Sequence, residues 1–250
     1  MPTHEEAGLA VVVPVLNERP NLSDLISRLD LQSTQIPIRE VIFVDDGSRD
    51  GTLEFLREEA SRVHSFSMIV IERNEKLGQV DACIAGAKSS RSLYVAFMDA
   101  DLQHPPETLA VMYSRVQIGY ELVVGSRYRS QSTVRRLPSR GLISRGAMGL
   151  SHLLLPWSRR LTDPMSGFFL TKRHYVERLT PLSNRCKLLL YVLATHRNIR
   201  TTEVPYSFEE RALGESKTID HGIGFIFRYL VEILTYFKMT SPDPAFERDG

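Results

Sequence analysis

"LYVAFMDADLQHPPE", residues 93–107, decides how the chain folds. The apolar run Leu93 to Met98 shows no helical period and stops at three side chains that offer oxygen, Asp99, Asp101 and Gln103, before Pro105 and Pro106 close the segment. A short apolar run bounded by turn residues reads as a strand buried on both faces. Its polar end then lies at one edge of a sheet, where open α/β sheets meet their ligands.

The same pattern repeats around it. Leu9 to Val13, Val41 to Val44, Met68 to Ile71 and Leu122 to Val124 predict further strands. Helical spacing is found near Leu22 to Leu31, Thr52 to Val63, Gln79 to Lys88 and Glu107 to Ile118. This alternation predicts an α/β fold, one domain with a mainly parallel sheet covered by helices on both faces. Asn21, with Asp24 three residues on, reads as a helix start. Four successive predicted strands end in polar clusters: "PVLNE" (14–18), "DDGSRDG" (45–51), "RNEKLG" (73–78) and "DADLQ" (99–103). A single cluster is a turn, whereas four in series mark a binding edge. Further on, a helix is expected around Lys187 to His196 and a strand near Ile199 to Tyr206.

Composition narrows the class. With 42% hydrophobic and 24% charged residues, the chain has what an ordinary globular domain needs to build a core, and disorder is expected only at its ends. Cys83 and Cys186 stand far apart, which suggests neither a disulfide framework nor a zinc site and fits a reducing compartment. No uninterrupted apolar run is long enough to cross a bilayer, and the start "MPTHEEAG" lacks the basic residues of a secretory signal.

The formal net charge is only +1, but it is unevenly spread. Leu122 to Thr162 contains no Asp or Glu, while Arg127, Arg129, Arg135, Arg136, Arg140, Arg145, Arg159 and Arg160 all fall there. Arginine without lysine favours phosphate-type anions, through its two-pronged donor geometry.

Neither G-x-G-x-x-G after the first strand nor G-x-x-x-x-G-K-[ST] is present, so a dinucleotide dehydrogenase and a P-loop enzyme fit poorly. A nucleoside diphosphate can instead be held by a bridging divalent cation, and the hard oxygens of Asp99, Asp101 and Gln103 indicate Mg²⁺ or Mn²⁺. In "VDDGSRDGT" (44–52), Asp46-Gly47 makes a turn and Ser48 or Asp50 caps the next helix, which leaves Asp45 to meet a ligand. Cys83, His152 and Trp157 read as packing residues.

"VVVPVLNE" (11–18), "VDDGSRDGT", "MDADLQHPPE" (98–107), "VVGSRY" (123–128), "DPMSGFF" (163–169) and "FEERALGESK" (208–217) occur in the order seen in family 2 glycosyltransferases of the GT-A fold. The set closely resembles the dolichol-phosphate mannose synthase group, over roughly Leu9 to Lys217. The resemblance implies a metal-dependent, inverting transfer of mannose from GDP-mannose to dolichyl or another polyprenyl phosphate. It implies that Pro14, Leu16 and Glu18 contact base and ribose, and that Asp45 reads the nucleoside. Asp101 and Gln103 would ligate Mg²⁺ or Mn²⁺, and Asp99, part of the same metal segment, would orient the donor. Arg127, Arg145, Arg211 and Lys217 would surround the donor diphosphate and the acceptor phosphate. The nearest rival is a UDP-sugar transferase acting on a polyprenyl phosphate. A non-catalytic regulatory subunit and a polysaccharide synthase fit less well.

A phosphomonoester acceptor has a second pKa near ~6, so it is largely ionised at neutral pH and needs no general base. Residues 1–217 are expected to form the catalytic domain, and residues 218–250 an amphipathic interfacial helix and tail. Ile226, Phe227, Leu230, Ile233, Leu234 and Phe237 would share the apolar face of that helix, and Leu150 to Trp157 would dip into headgroups beside it. Peripheral association with the cytoplasmic side of a membrane follows. The anchor would be these helices, a partner subunit or a further tail, and no nucleic-acid partner is expected.

Overall fold

The computed structural model describes residues 6–73, 77–127, 149, 152, 156–180, 187–207, 231, 234 and 235. Its elements in chain order are β1 (Glu6–Val15), α1 (Arg19–Ser33), β2 (Ile38–Asp45), α2 (Thr52–Glu59), β3 (Ser67–Glu72), α3 (Gln79–Ser89), β4 (Ser92–Phe97), α4 (Thr108–Gln117) and β5 (Leu122–Ser126). A 3₁₀ turn (Pro156–Arg160), β6 (Phe169–Lys172), α5 (His174–Glu177), α6 (Leu188–Thr195) and β7 (Thr201–Pro205) follow.

The strands form a sheet of order β3-β2-β1-β4-β6-β5-β7. β1 runs parallel to β2 and β4, β2 to β3, and β5 to β7. β6 alone runs antiparallel, between β4 and β5. This reversal places the start of β6 at the edge where the other strands end. The loop of residues 163–168 therefore joins the polar clusters that close β1, β2 and β4.

Each strand sends alternate side chains to opposite faces, and both faces are covered. Along β1, Ala10 and Val12 enter one core with Ile84 of α3, Phe169 of β6 and the leucines of α6. Leu9, Val11 and Val13 enter the other, with Leu22, Leu25 and Leu29 of α1, Leu56 of α2 and Leu109 and Met112 of α4. All five β1 residues are fully buried, which accounts for the unbroken apolar run in the sequence. α3 lies close on the sheet because residue 86 is glycine: a Cβ there would come within 2.5 Å of Val12 Cγ1.

Two local expectations are corrected. Asn21 does not start α1. Pro20 in the first turn lets the helix begin at Arg19, and Asn21 lies buried inside it, its amide donating to Glu18 Oε2 (3.0 Å). The second helix stops at Glu59 rather than continuing to Val63, which is fully exposed beyond the following turn. Arg145, Arg211, Lys217 and Cys186 lie outside the described residues, as do the side chain of Trp157 and most of the expected interfacial helix. Of that helix, Val231 and Leu234 are described, and they are helical and roughly half exposed (48% and 45%). Among the described residues no helix is long and apolar enough to cross a membrane.

Candidate active site

The loops after β1 and β2 are laced together. Asn17 N–H donates to Ser48 Oγ (2.8 Å), Arg49 N–H to Asn17 Oδ1 (2.7 Å) and Glu18 N–H to Thr52 Oγ1 (2.9 Å). The N-cap position of α2 is Gly51, which offers no side-chain cap; Asp50, expected to cap the helix, stands one residue earlier and accepts from both the N–H and the hydroxyl of Thr52. Register sets Val15 beside Asp45 and Pro14 beside Val44, so the residues expected at the nucleotide, Pro14, Leu16, Glu18 and Asp45, gather at one place.

Asp45 and Asp46 are adjacent and differ in use. Asp46 is committed to the fold, since its two oxygens accept Leu77 and Gly78 N–H (both 3.1 Å) and so fix the approach to α3. Asp45 is 1% exposed, and its Oδ2 accepts from the N–H groups of Gly47 and Ser48. Its Oδ1 is buried with no hydrogen-bond partner among the described residues. Such an oxygen costs about 1–3 kcal/mol, and a ligand donor would relieve that.

At the end of β4, Asp101 is 3% exposed, and its Oδ1 accepts the N–H of Gln103 (3.2 Å) across a turn that forces Leu102 to φ 63°. Asp99 is held from two sides. Its Oδ1 accepts the Gln79 amide (2.6 Å) and its N–H donates to His104 Nδ1 (2.9 Å). His104 is buried, stacked on Phe168 with Tyr206 edge-on. Burial lowers its basicity, and the acceptor role of Nδ1 requires the neutral ring. The charges around it are Asp99, Asp101, Arg127 and Asp163, so these four share one cluster.

The donor set suits a hard divalent cation. Asp99, Asp101 and Gln103 offer only oxygens, and His104 is turned to the Asp99 backbone. Among the described residues no group of three His, Cys, Asp or Glu side chains forms a complete cage. One or two carboxylates supplemented by substrate phosphates is how Mg²⁺ is usually held at phosphate sites.

Arg127, just past β5, makes a two-pronged pair with Asp163 (Nε to Oδ2 2.9 Å, Nη2 to Oδ1 3.3 Å). Asp163 is 2% exposed and is itself fixed by Glu203 of β7, whose Oε1 accepts the N–H groups of Thr162 and Asp163. In the sequence, "DPMSGFF" and "DADLQHPPE" give Asp163 and His104 no visible task, and Gln79 and Glu203 stand in no motif. His104 and Glu203 act on backbone groups, and the partners of Gln79 and Asp163 are side chains 20 and 36 positions away.

Comparison with known proteins agrees with this arrangement. Residues 10–180 match the family described as Glycosyl transferase family 2. A dolichol-phosphate mannosyltransferase of Pyrococcus furiosus is 36% identical over 92% of this chain, which spans 64% of that relative's length. The enzyme of the same name from Mycosarcoma maydis is 32% identical over 94% of this chain and 81% of its own. An undecaprenyl-phosphate 4-deoxy-4-formamido-L-arabinose transferase of Aeromonas hydrophila is 28% identical over 93% of this chain and 68% of its own. Among solved structures, glucosyl-3-phosphoglycerate synthase of Mycobacterium tuberculosis with Mn²⁺, UDP and glucosyl-3-phosphoglycerate superposes with TM-score 0.69 at 20% identity, covering 92% of this chain and 80% of that one. The same enzyme was also solved with Mg²⁺ and UDP, with TM-score 0.67 and 20% identity over 92% and 79% of the two chains. By its motifs, its sheet and the family match over most of its length, the chain belongs to glycosyltransferase family 2.

Proposed function

We propose that the chain transfers mannose from GDP-mannose to dolichyl or another polyprenyl phosphate, inverting the anomeric carbon, at the cytoplasmic side of a membrane it meets peripherally. Asp45 Oδ1 would accept a donor from the nucleoside. Asp101 and Gln103 would hold Mg²⁺ or Mn²⁺, and Asp99, fixed by Gln79 and His104, would orient the donor sugar. The bound cation supplies charge stabilisation for the departing diphosphate. Arg127, with Arg145, Arg211 and Lys217, would align the acceptor phosphate.

The observation that carries the reading is the pairing of Asp163 with Arg127. A sugar hydroxyl acceptor needs a carboxylate base, whereas Asp163 has both oxygens engaged by the guanidinium. A phosphate acceptor, already ionised, needs no base but does need cations. The relatives named above supply the acceptor class, since each carries a polyprenyl phosphate in its name. The undecaprenyl-phosphate relative is named for a sugar other than mannose, so a different donor, a UDP-sugar, stays as the second reading.

The test is thermal denaturation with Mn²⁺ and a panel of nucleotide sugars, since a ligand that binds the native state raises its midpoint. GDP-mannose should raise the midpoint more than UDP-glucose at equal concentration. A larger rise with UDP-sugars would replace the first reading by the second.

A further inference from the structure

Beside Asp99 a cleft of about 100 Å³ opens between α3, the end of β4, the start of β6 and the start of α6. Its apolar lining is Val80, Cys83, Phe97, Phe169, Leu188 and Leu189, and its polar lining comes from Gln79, Ser166 and Lys187, with Gly167 between. Gln79 donates to Asp99 Oδ1, and a Cβ on Gly167 would lie 3.8 Å from Asp99 Oδ2, so the cleft borders that carboxylate.

The polar groups of the lining are nearly all engaged. The Gln79 amide nitrogen is on Asp99. Ser166 Oγ donates to the Gly125 carbonyl (2.8 Å) and accepts the Phe168 N–H (3.1 Å). Burial pushes the Cys83 thiol up, so it stays neutral and acts as apolar wall. Lys187 differs: it is half-buried, and among the described residues no carboxylate pairs with it. The cleft is thus an apolar slot with one cation in its lining.

A hexose would find few hydroxyl partners there. An apolar cavity of ~150 Å³ takes a benzene ring, so the present slot suits a group of about five carbons. We infer that Lys187 binds the acceptor phosphate and that the cleft behind it takes the isoprene unit next to that phosphate. This rests on the polyprenyl-phosphate reading above and assigns to Lys187 an acceptor-binding role that its position in the sequence did not suggest. The Lys187 ammonium would contact the phosphate, while the apolar lining residues exclude water from the isoprene unit.

The experiment measures KM for GDP-mannose and for a short polyprenyl monophosphate in detergent with Mn²⁺, for the wild type, Lys187→Ala and Cys83→Leu. Transfer by the wild type establishes the acceptor class, and its absence would sink that class reading rather than the cleft. Given transfer, Lys187→Ala should raise the KM for the lipid about tenfold, as expected for loss of a charge-assisted bond to phosphate. Cys83→Leu, which fills the slot without altering charge, should raise the same KM. Both variants should keep the wild-type KM for GDP-mannose, and Lys187→Ala also the wild-type melting midpoint, so that overpacking in Cys83→Leu cannot mimic the result. An unchanged lipid KM in Lys187→Ala, or a change confined to the donor KM, would overturn the assignment and give the cleft to the sugar.

Discussion

Glu40 and Asp45 stand on the same strand, both buried, and the structure uses them in opposite ways. Near the start of β2, Glu40 accepts from the hydroxyls of Ser90 (2.6 Å) and Ser92 (2.7 Å) and from the N–H groups of Arg91 and Ser92 (both 3.2 Å). It ties the turn between α3 and β4 to the sheet. At the other end, Asp45 uses one oxygen on the loop and leaves the second without a partner among the described residues. At the amino ends of the strands Glu121 repeats the first pattern, accepting from Lys172, Tyr175 and the Arg200 N–H. A buried carboxylate engaged at both oxygens serves the fold, and one kept partly open has an acceptor left for a ligand.

The comparison breaks most visibly at Asp101. Asp101→Asn keeps an oxygen for the Gln103 N–H but removes the charge, so nucleotide affinity with Mn²⁺ should fall about a hundredfold or more with little change in melting midpoint. Gln103→Ala should be milder, because it removes only a neutral oxygen. Titration calorimetry showing wild-type affinity in Asp101→Asn would remove this residue from the metal site.

Glu40→Ala should do the converse. It strands two hydroxyls and two N–H groups, at a cost of about 2–4 kcal/mol, while the folded fraction binds nucleotide as before. Denaturant unfolding beside nucleotide titration separates the two effects, and weakened binding without loss of stability would erase the contrast. Asp45→Asn should lower nucleotide affinity about tenfold and leave stability within about 1 kcal/mol, since the open oxygen and not the turn is altered. A large stability loss with unchanged affinity would make Asp45 a fold residue like Glu40.

The smallest expected effect is one of pH. Burial pushes the Glu40 carboxyl up, but hydrogen bonds from Ser90, Ser92 and Arg91 outweigh it and leave the group below its ordinary value of 4.5. The unfolded chain therefore takes up the proton first. The stabilisation is full above about pH 4.5 and is lost as pH falls through the lower folded value. Glu40→Gln should remove that part of the acid dependence, as acid titration of stability would show. An identical acid profile would mean that other groups govern it.

The sheet was legible because a strand covered on both faces is an apolar run, as Leu9 to Val13 and Val41 to Val44 show. β6 was not, since "FLTK" is short and its direction is decided by neighbours far along the chain. The site divides in the same way. Asp99, Asp101 and Gln103 announce themselves by their alternation after β4. Asp163 pairs with a residue 36 positions away, and His104 acts on a backbone N–H, which no side-chain pattern encodes. Lys187 lines a cleft to which three other segments contribute, so only the fold shows it.

The most direct measurement is transfer of labelled mannose from GDP-mannose to a polyprenyl monophosphate in detergent with Mn²⁺, scored for product, anomeric configuration and sensitivity to a chelator. The expected product is a phosphate-linked mannose of inverted configuration whose formation stops when the metal is removed. Retained configuration, full activity under chelation, or equal transfer to a simple sugar alcohol would contradict it.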